Sequence, residues 1–365
     1  MANDRAAQIC AGLATLWLVV MVTVDVMTAR PHFVALFALA PLIACAALPT
    51  RITAVFAGVA IFLSAGSGWW NHSWASGQQI VRIADVILVS AAATVVAVVR
   101  VRREQQFARV AAIAEVAQRA ILPTLPTRFG SVAIGARYLS AAQDAVVGGD
   151  LYDWYHSATR LRFLVGDVRG KGIAAVGQAA RVIRAFRQAA PAQASLPAVG
   201  HEMSAYLAPF FDDEEFVTGL LVDASDATRL TLVSCGHPPA LLIRRDGHAS
   251  LLEAPPGLPL GLGDTYDGVT VPWGPGDRLL MYTDGLSEAR DSDGRFLPLL
   301  TLAPLLRAET VDDALDALLD AVHEHVPSGQ LADDLAVVLL ENLGVDHRRA
   351  TDVPDPVQER VWASG

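Results

Sequence analysis

With 365 residues, 53% of them hydrophobic, and a mean hydropathy of +0.37, the chain is too apolar for an ordinary soluble protein. A net charge of -10, from 28 basic and 38 acidic side chains, excludes the basic footprint that a nucleic-acid binder needs. The three cysteines, Cys10, Cys45 and Cys235, have the spacing of neither a metal site nor a disulfide framework.

The apolar excess lies before Arg100. Four stretches, 9–27, 33–48, 52–70 and 80–99, approach the roughly 20 residues that cross a bilayer. They predict a four-span membrane domain over residues 1–100, since a cleaved leader would account for the first stretch alone. Arg5 precedes the first stretch, Arg51 sits between the second and third, and Arg100, Arg102 and Arg103 follow the fourth. The loop 66–79 is free of charge and carries Trp69, Trp70 and Trp74, which suit a membrane interface. Arg30 is the exception to this asymmetry, which otherwise predicts a plasma-membrane protein with both termini in the cytoplasm. Asp25, Arg82 and Asp85 fall in or near the spans. They read as interfacial or locally paired charges, with an intramembrane functional site as the alternative.

Residues 101–125 read as a linker helix, free of Gly and Pro from 102 to 122 and stopped by Pro123 and Pro126. Phe107, Val110, Ala114, Ala117 and Ile121 recur at three- and four-residue steps, the a/d spacing of a short coiled-coil seam. Such a seam would make a homodimer; packing of the helix on its own globular domain is the alternative. The globular domain follows over 126–342. Strands are expected at 131–138, 151–156, 161–165, 216–222, 230–234, 240–244, 278–282 and 335–340, with helices at 173–190, 196–207 and 311–325. Runs of strands broken by paired helices indicate an α+β sandwich rather than an alternating α/β fold. The tail 343–365 is polar without a core pattern and is expected to be disordered.

Four acidic signatures end or begin these strands: Val147-Gly148-Gly149-Asp150, Val165-Gly166-Asp167-Val168, Tyr282-Thr283-Asp284-Gly285 and Ala332-Asp333-Asp334-Leu335. One strand-end Asp is ordinarily a turn former. Four of them, with Gly beside three, form a set that would repel itself without cations, and all-oxygen donors select hard ions such as magnesium or manganese. The sequence holds no GxSxG elbow, Cys–His pairing or HExxH, so water activated by metal is the natural nucleophile. His237, before Pro238 and Pro239, reads first as a turn histidine fixed by hydrogen bonds and second as a general acid. Glu288 reads as a cap or packing residue.

The ordered motifs VGGDLYDWY, GDVRGKGIAA, SCGHPPALL, GLPLGL, LLMYTDGLSEARDSDG and ADDLAVV, preceded by AQRAILPTLP, resemble the SpoIIE-type bacterial branch of the type 2C (PPM) metal-dependent serine/threonine phosphatases over about residues 118 to 340. The resemblance implies an α+β fold, a β-sandwich flanked by helices, with two divalent ions, Mn2+ or Mg2+, at one end. It implies that Asp150 helps hold the second ion and that Asp167 bridges both, with the Val168 carbonyl as a further ligand. Asp284 and Asp333 would complete the first site, and Asp334 would ligate or orient a neighbour. It also implies a phosphorylated protein substrate, in this branch phosphoserine or phosphothreonine on an anti-sigma-factor antagonist. Two departures leave these ligands intact: the loop Arg169-Gly170-Lys171, whose cations would meet the phosphate or solvent, and Cys235 in place of the usual Ala. A degenerate PPM-like docking module is the alternative function. Gly148-Gly149-Asp150 also resembles the GGDEF signature of diguanylate cyclases, but Leu151-Tyr152 lacks the second acid.

Overall fold

A computed structural model describes residues 2–28, 31–70, 76–140, 148–211, 215–327 and 331–344. Arg30, Trp74, Val147 and the tail from Val345 lie outside the described residues. The chain divides into two compact units, Met1–Arg109 and Val110–Gly365.

The first unit is helical: α1 (Ala2–Thr28), a 3-10 segment (Pro31–Ala38) running into α2 (Leu39–Ala47), α3 (Thr50–Trp70) and the first part of α4 (Gly77–Ile121). Three of these helices are long and apolar enough to cross a membrane, α1, α3 and α4. The second apolar stretch, Phe33–Ala47, forms a shorter apolar helix than these three. Pro41 lacks the N–H that a continuous α-helix would use there, and the chain before it winds as 3-10 turns. Arg100 pairs with Glu104 and donates to the Leu48 carbonyl at the end of α2. The fourth stretch and the linker form one helix of 45 residues, since nothing between 80 and 122 breaks it.

In the second unit, the residues of α4 beyond Arg109 lead into β1 (Arg128–Phe129), β2 (Val132–Leu139), β3 (Leu151–His156) and β4 (Leu161–Val168). Then come α5 (Ile173–Ala192), α6 (Leu196–Leu207), β5 (Val217–Asp226), β6 (Arg229–Cys235), β7 (Ala240–Ile243), β8 (Ala249–Leu252), β9 (Gly268–Pro272) and β10 (Arg278–Tyr282). The short α7 (Asp284–Ser287), α8 (Val311–His325) and β11 (Leu335–Asn342) close the unit. One sheet has the order β1-β2-β11-β10-β7-β8 and the other β3-β4-β5-β6-β9. Neighbouring strands within each sheet are antiparallel.

Alternation along the strands builds three cores. On β11, Leu335, Val337 and Leu339 face α8, while Val338 and Leu340 face the opposite sheet. On β4, Leu164 and Val168 face α5 and α6, while Phe163 and Val165 join the layer between the sheets. The helices follow the same logic. α8 buries Val311, Ala314, Leu315, Leu318 and Val322 at helical spacing and starts on a Thr310–Asp313 capping box. The result is the helix–sheet–sheet–helix sandwich that the motif order implies.

The linker seam is divided. Ala114 is buried with Val176 of α5, and Ala117 and Ile121 pack beside them, whereas Val110 and Phe107 are exposed. Its C-terminal half thus packs on its own globular unit.

Candidate metal centre

Antiparallel pairing brings the acidic signatures together. β3 begins where β4 ends, Leu151 opposite Gly166, and β11 begins where β10 ends, Val337 opposite Tyr282. Each signature lies at such a junction. Asp150, Asp167 and Asp284 each offer a carboxylate oxygen, and the three oxygens lie within 4.8 Å of one another.

Two glycines permit the close approach. A Cβ on Gly149 would fall 2.2 Å from the Val168 carbonyl oxygen, and one on Gly285 would fall 1.9 Å from that of Asp334. Side chains at either position would push the loops apart. Across the first contact the Val168 N–H donates to the Gly149 carbonyl.

All three carboxyls are held above the ordinary carboxylate range. For Asp150 the causes are burial and then the charge of Asp167. Burial and the charges of Asp284 and Asp333 push Asp167 up to about 7. Asp284 is raised by burial, Asp333 and Glu288. Among the described residues no ion pair reaches any of the three. Mutually repelling, desolvated oxygens without a basic partner fit hard divalent cations.

The remaining sequence candidates surround this trio. Asp333 is half exposed, accepts the Asp334 N–H and pairs with Lys171 at 3.1 Å. Its carboxylate is not one of the three that converge, but its charge acts on both Asp167 and Asp284. Asp334 is buried; its Oδ2 accepts from the Gly148 N–H and the Tyr138 hydroxyl, so it orients the loop that bears Asp150. Arg169 turns to the Phe216 ring. Glu288 ends α7 with an exposed side chain, its N–H donating to the Asp284 carbonyl. Sequence reasoning passed over Thr283, which is fully buried. Its Oγ1 donates to Asp150 Oδ2 at 2.6 Å and accepts the Ala336 N–H, tying the two sheets together at the site.

His237 takes the role of a turn histidine. Its Nε2 donates to the Tyr282 carbonyl at 3.0 Å, which leaves Nδ1 to accept from the Thr218 hydroxyl, also at 3.0 Å. Burial lowers its pKa to about 4, so the ring is neutral at physiological pH. His237→Ala should cost roughly 2 kcal/mol of stability, because two buried partners lose their bonds. The activity loss should be far smaller than that of Asp167→Ala, and equal losses would give His237 a chemical role instead.

The family model described as Stage II sporulation protein E (SpoIIE) matches residues 157–342, just over half of the chain. The chain belongs to the SpoIIE family. Among solved structures, this SpoIIE-family chain is similar to the RsbU and RsbW domains of Rv1364c from Mycobacterium tuberculosis, at 27% identity and a TM-score of 0.51. That match covers 57% of this chain and 59% of the other, so the chain spans about three fifths of that relative. It is also similar in fold to the SiaA-PP2C domain of Pseudomonas aeruginosa, at 21% identity and a TM-score of 0.54, covering 67% of this chain and 98% of that one. The globular unit thus has the PP2C-type α+β fold.

Metal and pH are linked in a way that calorimetry can read. Asp167 has its pKa raised from 3.8, so without metal it takes up a proton on folding, and stability falls as pH rises from about 4 to about 7. His237, lowered from 6.5 to about 4, acts oppositely, its contribution being lost as pH falls through that window. The histidine term is common to metal-free and metal-loaded protein and cancels in their difference. Saturating Mn2+ should therefore raise Tm more at about pH 8 than at about pH 5. A larger gain at the lower pH would contradict cation binding by ionised Asp167.

Proposed function

We propose that this chain is a membrane-anchored, metal-dependent phosphoprotein phosphatase that hydrolyses phosphoserine or phosphothreonine on a regulatory partner. The observation that carries the reading is the convergence of Asp150, Asp167 and Asp284 from three separate signatures onto one group of oxygens. Asp167, central in the repulsion network, would bridge two ions. Asp150, with the Val168 carbonyl nearby, would serve one of them, and Asp284 with Asp333 the other. Mn2+ or Mg2+ at these positions would supply an acidified water as nucleophile and offset the charge of the phosphate.

The chain's own groups do the positioning. Thr283 donates to one oxygen of Asp150 and so fixes which oxygen faces the centre. Asp334 holds the Gly148 N–H and with it the loop. Lys171, exposed and paired with Asp333, would offer a positive charge to an incoming phosphate. His237, neutral and committed on both ring nitrogens, leaves proton transfer to solvent and carboxylates.

The family resemblance supports an anti-sigma-factor antagonist as the partner. The test is release of phosphate from a serine-phosphorylated antagonist protein by the full chain in detergent with Mn2+. Release would support the enzyme, and a phosphoprotein that binds but keeps its phosphate would establish the docking module.

The lipid bilayer is the second partner, and the plasma membrane the location. α1, α3 and α4 have the length to span, and the segment from Pro31 to Ala47, shorter as a helix, would reach roughly 30 Å if its 3-10 and α turns ran end to end, because 3-10 turns rise further per residue. Four passes would return the chain to the side on which it began, and the arginines after Val99 support the cytoplasm as that side. Reporter fusions at residues 73 and 365 should report opposite sides of the membrane. The same side for both would leave three passes or fewer.

A further inference from the structure

The last turns of α4 carry a polar side chain with no place in the linker seam. Gln118 is 2% exposed and lies among Ala114, Ala117 and Ile121 of the face that packs toward α5. Its Nε2 donates one N–H to the Tyr138 hydroxyl at 2.5 Å and shares the other between the carbonyls of Gly148 and Asp150, each at 3.2 Å. All three partners accept, so the amide orientation follows from the contacts: with Oε1 turned inward, oxygen would face three oxygens.

The network continues past the first contacts. Tyr138 in turn donates a hydrogen bond to Asp334 Oδ2, the same oxygen that accepts the Gly148 N–H. Burial and the Asp334 charge push the phenol upward, which keeps it a donor. One amide therefore grips both ends of Gly148-Gly149-Asp150 by their carbonyls, and through Tyr138 it also steadies the acid that holds the loop's N–H. The Asp150 carboxylate emerges from this clamped loop and meets Thr283 on the other side.

We propose that Gln118 is a positioning residue for the metal centre: the linker helix, through this amide, fixes the loop that presents Asp150 and thereby sets the affinity of the site for divalent cations. The inference rests on the dimetal reading above. It assigns the helix a direct part in the site, beyond any part in dimerisation or anchoring.

The test measures Mn2+ binding to the full chain in lipid nanodiscs by the loss of the free-ion magnetic resonance signal, with phosphate release followed in parallel. Gln118→Leu keeps the volume and removes the donor. It should raise the Mn2+ concentration for half-saturation by roughly 10-fold or more, as loss of a group supporting a ligand does. Turnover at saturating Mn2+ should stay within a few-fold of the parent, a split that general destabilisation would not give. Tyr138→Phe should shift binding in the same direction, and the double variant should shift it by less than the product of the two, because both act through one network. If Gln118→Leu fails to fold, Tyr138→Phe carries the same comparison.

Half-saturation unchanged in the variants, while the parent binds Mn2+, would overturn the proposal and leave the dimetal reading intact. A parent that binds no Mn2+ would overturn both. Mn2+ binding that weakens as expected in a protein that releases no phosphate would support the clamp and sink the phosphatase reading alone.

Discussion

Replacing Asp167 by alanine should lower phosphate release by well over about 10²-fold while leaving the metal-free protein at least as stable as the parent. Loss of a residue that merely supports a metal ligand costs about 10–100-fold, and a carboxylate shared between two ions should cost more. The stability side has the opposite sign to that of most buried substitutions. Asp167 is raised to about 7 by burial and by the charges of Asp284 and Asp333, so above neutral pH its ionised form opposes folding. Removing it relieves that repulsion, and Tm in chelator at about pH 8 should hold or rise. Mn2+, which should stabilise the parent, should stabilise the variant much less. A variant that unfolds in chelator would show instead that Asp167 is a structural residue.

Gly285→Ala should be the most damaging single-methyl change in the globular unit. The new Cβ would lie 1.9 Å from the Asp334 carbonyl oxygen and 2.9 Å from its carbon, both backbone atoms of the segment leading into β11. No rotamer change can relieve a backbone clash, so α7 or the start of β11 must move. The strain should cost about 3 kcal/mol, the upper end for overpacking, and lower Tm by roughly 10 °C. Asp284 and Asp334 flank the displaced contact, so Mn2+ affinity should fall as well. Thermal melts with and without Mn2+ measure both effects, and a variant within about 2 °C of the parent would show that the Asp284 turn is more pliant than its packing implies.

The strands were legible where both faces are buried or one face alternates cleanly. β3, β10 and the core of β11 lie where apolar runs predicted them, as do α6 and α8. β8 and β9 were not legible. β8 is the edge of its sheet and half exposed, and β9 is an edge strand that begins with Gly268 and ends with Pro272. Short, polar or proline-bearing edges carry little periodic signal. The fourth apolar stretch and the linker are one continuous helix. Charge begins at Arg100, but backbone propensity does not change there, and α4 runs through.

At the site, Asp150, Asp167 and Asp284 announced themselves by glycine beside a strand end. Thr283 and Gln118 did not, because a neutral side chain becomes part of a site only through a distant partner. Thr283 reaches an acid 133 positions away, and Gln118 a carbonyl 32 positions away. For the adjacent pair Asp333-Asp334, the resemblance set Asp333 as a ligand and left Asp334 to ligate or to orient a neighbour. The pair lies in the bend just before β11, where strand alternation does not yet hold, and there one acid faces Lys171 and solvent while the other is buried against Tyr138 and Gly148.

The central claim is that the converged carboxylates make hydrolysis of a phosphoprotein depend on divalent metal. The direct measurement is phosphate release from a serine-phosphorylated antagonist protein by the full chain, first freed of metal by chelator and then supplied with Mn2+. Release should be absent after chelation, return on adding Mn2+, and stay absent in Asp167→Ala under both conditions. Release that survives chelation undiminished, or that Asp167→Ala retains, would contradict the claim.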